Sequence, residues 1–179
     1  MKRKLESPRL IKASFADYQV VQNLARFYVY DMSRYCGFIS EDWACPSNGL
    51  FESFDFKSYF EKANHEAFLV KVQSELAGFV LIKKIGHGAL SYYKIGEFFI
   101  IAKFQGHGIA EQVAHQIWHK YAGAWELSVI PENKKALNFW RKAVGNFSAG
   151  NFTEELVLVD YDKHQPHRYL LSFSCFQKA

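Results

Sequence analysis

Three strand-forming runs follow one another with almost nothing between them. They are "EAFLVKVQ" (66 to 73), "LAGFVLIKK" (76 to 84) and "SYYKIGEFFII" (91 to 101), separated by "SE" and by a turn containing "GHG" at 86 to 88. The runs are rich in β-branched and aromatic residues, and the linkers carry turn formers. A parallel crossover needs a dozen or more residues, so strands joined this closely are expected to run antiparallel. The third run leads into "EFFIIAKFQGHGIAEQ" (97 to 112), where Gln105, Gly106, His107 and Gly108 stand between an apolar strand and a helical pattern.

The remaining segments read in the same way. Residues 8 to 14 suit a short strand, and Ser14 can cap a long first helix ending at Gly37, with Val20, Leu24, Phe27 or Tyr28, and Met32 as its apolar stripe. A loop over residues 38 to 52 precedes a shorter helix in "FKSYFEKA". Beyond the glycines, Ile109, Val113 and Ile117 with Ala110, Ala114, Trp118 and Tyr121 predict a helix over 108 to 121. "AWELSVI" is a strand, "NKKALNFWRKAV" a helix, and "TEELVLVDY" and "RYLLSFSC" two last strands. The order is β-α-α-β-β-β-α-β-α-β-β, and no repeat or linker divides it, so residues 1–179 are expected to form one domain.

A chain that is 49% hydrophobic and 17% aromatic has ample material for a core. No run approaches the ~20 apolar residues of a membrane span, and "MKRKLESPRL" passes into polar sequence, so a soluble, cytoplasmic protein with no membrane association is expected. Cys36, Cys45 and Cys175 are odd in number and share no C-x-x-C spacing, which points to neither a disulfide framework nor a zinc ribbon. The net charge of +4 is mild, and its only dense cluster is Lys2, Arg3 and Lys4; without a basic helix or an RNP-like strand, a nucleic-acid partner is not expected. A monomer or homodimer is compatible with all of this.

Glycine-rich turns that open helices receive phosphates, because the unpaired N–H groups of the first turn converge there and glycine lets a ligand approach. Taken alone, G-x-G is equally a tight strand-to-helix turn. A P-loop requires G-x-x-x-x-G-K-[ST], which is missing. A dinucleotide fingerprint requires a third glycine in a first βα turn, whereas this loop follows antiparallel strands.

The pattern left is Gln/Arg-x-x-Gly-x-Gly/Ala, carried by Gln105, Gly108 and Ala110. It resembles the GNAT family of acetyl-CoA-dependent N-acetyltransferases. A second motif, "PENKKALNFWRKAVGNF", is similar to that family's N-x-x-A-x-x-F-Y-x-K-x-G-F, with Asn133, Ala136, Phe139, Trp140 and Lys142 in matching places. The resemblance implies an α+β acyl-CoA N-acyltransferase fold: a mixed, mostly antiparallel sheet flanked by helices and splayed between its fourth and fifth strands. It also implies acetyl-CoA as donor, coenzyme A as product, and a small-molecule or protein amine as acceptor. Backbone contacts with the pantetheine arm fall to Phe99, Ile100 and Ile101. Pyrophosphate contacts fall to Gln105, Gly106, His107, Gly108, Ile109 and Ala110, and Asn133, Phe139, Trp140 and Lys142 are carried over as cofactor-side residues.

An alkyl ammonium must lose a proton before it attacks. Glu97 is the only acidic residue of its strand, and its apolar neighbours are expected to raise its pKa, as suits a base; a solvent-facing Glu is the alternative. Where the family often has a Tyr as acid, this chain has Trp140, whose indole N–H does not serve. That departure supports a second possibility, a catalytically silent acyl-CoA-binding sensor. Tyr28, Tyr30, Asp31 and Tyr35 form an aromatic, acidic face suited to a cationic acceptor, joined by Trp43 and Phe51, although ordinary helix packing explains each singly. Glu126 is a further candidate for the cleft. His115 and His119 lack the Glu of H-E-x-x-H and are expected on a solvated face rather than on zinc.

Overall fold

The computed structural model describes residues 6–175. The cluster of Lys2, Arg3 and Lys4 lies outside the described residues. Strand β1 (Arg9–Lys12) is followed by helices α1 (Tyr18–Cys36) and α2 (Ser58–Glu61), then by strands β2 (His65–Val72), β3 (Glu75–Ile85) and β4 (Tyr92–Ile100). Helix α3 (Ile109–Lys120), strand β5 (Gly123–Val129), helix α4 (Lys134–Phe147) and strands β6 (Phe152–Leu158) and β7 (His167–Cys175) complete the order, which is the one the sequence predicts.

The strands form one sheet in the order β1-β2-β3-β4-β5-β7-β6. Every neighbouring pair is antiparallel except β4 with β5, which α3 joins as a parallel crossover. Alternation along the strands gives the sheet two apolar faces. One packs Phe79, Leu81 and Phe99 against Val21, Leu24 and Ala25 of α1. The other packs Ile82, Ile95 and Ile100 against α3 and α4, where Trp118 is fully buried. Side chains buried this completely contribute about 1.5–3 kcal/mol each.

Two local expectations are refined. Of the alternatives Phe27 and Tyr28, the structure selects Tyr28, which packs on the core with Val20, whereas Phe27 is 59% exposed; Val21, Ala25 and Val29 join Leu24 and Met32 in the buried stripe of α1. Helix α2 is a single turn, because Lys62 already takes an extended conformation and leads the chain into β2.

One irregularity in β4 sets up the site. Leu81 faces Glu97 and Ile82 faces Ile95, so Gly96 is an extra residue with no opposite number. A bulge of this kind puts two successive side chains on one face. It turns Glu97 to the α1 face, where Phe99 also lies.

Candidate active site

Only three rungs join β4 to β5: Tyr92 with Ala124, Tyr93 with Trp125 and Lys94 with Glu126. Past Lys94 the strands part and leave main-chain groups that no strand satisfies. The Ile101 N–H donates to the Ala77 carbonyl in β3 at 2.8 Å, so alternation turns the backbone groups of Ile100 and Phe98 onto the open edge. There the Ile100 carbonyl accepts from Gln105 Nε2 at 2.8 Å. Of the three residues expected along the pantetheine arm, Ile100 faces the opening, while the backbones of Phe99 and Ile101 are turned to β3.

A cavity of about 350 Å³ runs from this edge to the N-terminus of α3. Gly106 and Gly108 both adopt φ +76°, a conformation that disfavours residues with a Cβ. A Cβ on Gly106 would meet nothing within 4 Å, so the loop borders open space. The first bond of α3 runs from the Gln112 N–H to the Gly108 carbonyl at 3.1 Å, which leaves the N–H groups of Ile109, Ala110 and Glu111 without helical partners. Ile109 is itself buried in the core, and His107 is exposed beside the glycines. Lys135 Nζ donates to Gln105 Oε1 at 3.0 Å, and Arg34 also borders the cavity. Converging N–H groups, a helix N-terminus and two cations fit the diphosphate of coenzyme A, and the open β4 edge fits its pantetheine amides.

A second cavity, of about 700 Å³, opens on the other side of a wall built from α1, β4 and α4. Glu97 borders it. Burial lifts the Glu97 carboxyl to about 7, with the neighbouring Tyr28 hydroxyl and the Lys83 ammonium working in the opposite direction. The side chain keeps some surface on the cavity although protein surrounds it on the other sides. A carboxyl placed this way is half ionised near neutral pH and can take a proton from an ammonium.

The cavities sort the remaining expectations. Tyr28 borders both, whereas Asp31 and Tyr35 border only the first. Tyr30 borders neither; two residues along a helix is a turn of ~200°, and Tyr30 packs outward against Phe51 at 5.7 Å. Trp43 reaches the second cavity beside Phe54, while Phe51 does not. Asn133 caps α4 by accepting from the Ala136 N–H at 3.0 Å and borders both cavities. Phe139 and Trp140 wall the first cavity, Trp140 also packing edge-on against Phe98 at 4.9 Å. Lys142 points away and pairs with Glu111 at 3.8 Å. Glu126 faces Lys94 below the parting of the strands and borders neither cavity.

His115 departs from the solvated position expected for it: its ring lies 5.1 Å from Phe147, and its Nε2 is 3.3 Å from the Ala143 carbonyl. Among the described residues, no group of three or more His, Cys, Asp or Glu side chains is placed to hold a metal ion.

Sequence reasoning missed the β6–β7 connection. Arg168 is buried, donates to Asp162 at 2.7 Å and to the His167 carbonyl at 2.8 Å, and also meets the Gln165 carbonyl. Gln165 donates from its backbone to Asp162 at 2.9 Å. This tied loop forms one side of the second cavity. Its residues have neither periodicity nor motif, so no sequence signal marks them.

The sequence model of the acetyltransferase (GNAT) family matches residues 26–145, and the chain belongs to that family. The class that family and fold define is an acyltransferase enzyme. Solved structures agree in fold at low identity. A spermidine N-acetyltransferase from Vibrio cholerae is 15% identical, with 94% of each chain covered and a TM-score of 0.61. A ribosomal-protein alanine N-acetyltransferase from Escherichia coli is 10% identical, with 96% of each covered and a TM-score of 0.62. A nourseothricin acetyltransferase is 15% identical over 96% of this chain and 100% of its own, with a TM-score of 0.60. No curated protein sequence matches the chain.

Proposed function

We propose that the protein, acting as one domain over residues 1–179, transfers an acetyl group from acetyl-CoA to a primary amine by direct attack. The observation that carries this reading is the position of Glu97, a carboxyl raised to about 7 where the acceptor cavity meets the donor wall. Bound acetyl-CoA supplies an activated thioester carbonyl. Gln105, the N–H groups opening α3, and Lys135 hold its diphosphate, and the open edge at Ile100 aligns its arm. Phe98, Phe139 and Trp140 exclude water from the reacting end. Glu97 removes the ammonium proton, directly or through one water, so that the nitrogen lone pair can attack.

The acceptor cavity is bordered by Asp42, Glu97, Asp160 and Asp162 and by the rings of Trp43 and Phe54; Arg168 there is paired with Asp162 and Lys163 is the other strong cation, so carboxyl groups outnumber the cations, as suits a cationic amine. The spermidine, nourseothricin and ribosomal-protein acetyltransferases that share the fold are named for acceptors of different kinds, so the acceptor is assigned only as an amine. The test is a panel of polyamines, amino sugars, amino acids and peptides assayed for amine-dependent release of free coenzyme A thiol. Release with at least one amine supports the reading. Tight acyl-CoA binding without release from any of them would sink it in favour of a silent acyl-CoA-binding module.

A further inference from the structure

An amine nitrogen and a thioester carbon must come within about 3–3.5 Å before they bond, so the acyl group has to lie where the donor and acceptor cavities adjoin. The two cavities share six lining residues: Tyr28 and Met32 from α1, Phe98 from β4, and Asn133, Ala136 and Trp140 from α4. An acyl chain held there is enclosed by these side chains, and its permitted length depends on which of them can yield.

All but one are braced. The rings of Phe98 and Trp140 meet edge-on at 4.9 Å, and Phe139 supports both, at 6.3 Å and 4.8 Å. Tyr28 is wedged against Phe99 at 6.0 Å and Phe79 at 6.5 Å. Ala136 ends at its Cβ, and Asn133 is tied to α4 through Oδ1, which accepts from the Ala136 N–H at 3.0 Å. Met32 differs: its side chain is unbranched and flexible, so its place depends on what holds it. It is 8% exposed, and Asn133 Nδ2 donates to Met32 Sδ at 3.6 Å, across the gap between α4 and α1. Because the cap fixes the other end of the same amide, Asn133 aims its Nδ2 at α1 and pins the thioether between the cavities.

We propose that Met32 sets the acyl specificity of the enzyme: pinned by Asn133, it closes the space beyond the acetyl methyl, so that acetyl-CoA is accepted and donors carrying propionyl or butyryl groups are rejected. This rests on the acetyl-transfer reading above. A longer chain has to push the thioether aside and break its contact with Asn133, or else enter the acceptor cavity and obstruct the amine. A well-packed apolar site discriminates against one methylene by about 10- to 200-fold, which is enough to separate these donors.

The test is calorimetric titration with acetyl-CoA, butyryl-CoA and free coenzyme A, with no amine present. The wild type should bind butyryl-CoA at least about tenfold more weakly than acetyl-CoA, and Met32→Ala should bring the two within about threefold. Met32→Leu, which nearly conserves the volume, should keep the wild-type ratio. With an amine that releases coenzyme A, kcat/KM for butyryl-CoA relative to acetyl-CoA should rise about tenfold in Met32→Ala. A general loosening of the fold would weaken both donors alike and leave the ratio where it was. Equal affinity of the wild type for the two donors, or an unchanged ratio in Met32→Ala, overturns the proposal and leaves the acetyl-transfer reading intact; failure of the wild type to bind either acetyl-CoA or coenzyme A overturns both. If Met32→Ala does not fold, Met32→Val, which also shortens the side chain, decides on the same ratio.

Discussion

Tyr59 occupies the space that any side chain at position 96 would need: its hydroxyl oxygen overlaps the position of a Cβ built on Gly96, and its Cζ lies 2.9 Å away. The bulge and the tyrosine therefore depend on each other. Gly96→Ala should destabilise the fold by about 1–3 kcal/mol, read from urea unfolding, because a packed ring must move. Adding Tyr59→Phe should recover part of the loss, since the oxygen is the nearest atom. Unchanged stability in the single variant would show that the ring has room to shift.

Activity should follow the ionisation of Glu97. Because a base works in its deprotonated form and the amine is delivered as the ammonium, wild-type kcat/KM referred to the ammonium form should rise with pH through about 7 and then level off. Glu97→Gln should lose that inflection and lower the plateau by about 100-fold or more, while acetyl-CoA affinity stays within about twofold. An inflection near neutrality that survives in the variant would remove Glu97 as its source.

Stability should carry the same signature with the opposite benefit. The folded carboxyl holds its proton up to about 7 against an ordinary 4.5, so the folded state binds more protons between those values. Its stabilising contribution is complete below the lower value and is lost as pH rises through the upper one. Glu97→Gln should thus be nearly neutral at about pH 4 and stabilising at about pH 8, by up to about 3 kcal/mol, in thermal unfolding followed at both pH values. A variant that melts with the wild type at both would contradict the burial of the charge.

At the α3 N-terminus, Gly108→Asp should weaken coenzyme A binding at least about tenfold by calorimetry, because it places a carboxylate at an anion site and a Cβ at φ +76°. Gly108→Asn keeps the shape without the charge, so it should lose distinctly less. Equal losses would assign the effect to backbone strain alone.

What the sequence made legible was local. The three-strand meander, the glycine junction and the asparagine that caps α4 are short-range patterns with short-range causes, and the element order follows from them. The phase of a helix is harder to read: Tyr28 and Tyr30 look equivalent in an aromatic-rich stretch, yet ~200° of rotation sends one into both cavities and the other into solvent. The single glycine inside "YKIGEFF" was the available sign of the bulge, but its consequence for Glu97 depends on Tyr59, which lies 37 residues earlier in the chain. The Asp162–Arg168 bracket belongs to a loop brought to the cavity only by the closing of the sheet, so nothing in its neighbourhood along the chain announces it.

The three-rung pairing of β4 and β5 places an unpaired strand edge in the middle of the sheet instead of at its margin. Marginal edges invite other polypeptides, and that is how sheets aggregate. An edge sunk between helices on both faces is out of reach of a neighbouring molecule's strand, so the fold can leave main-chain groups without a strand partner, the Ile100 carbonyl being met by Gln105 instead, and carry no exposed edge there for aggregation.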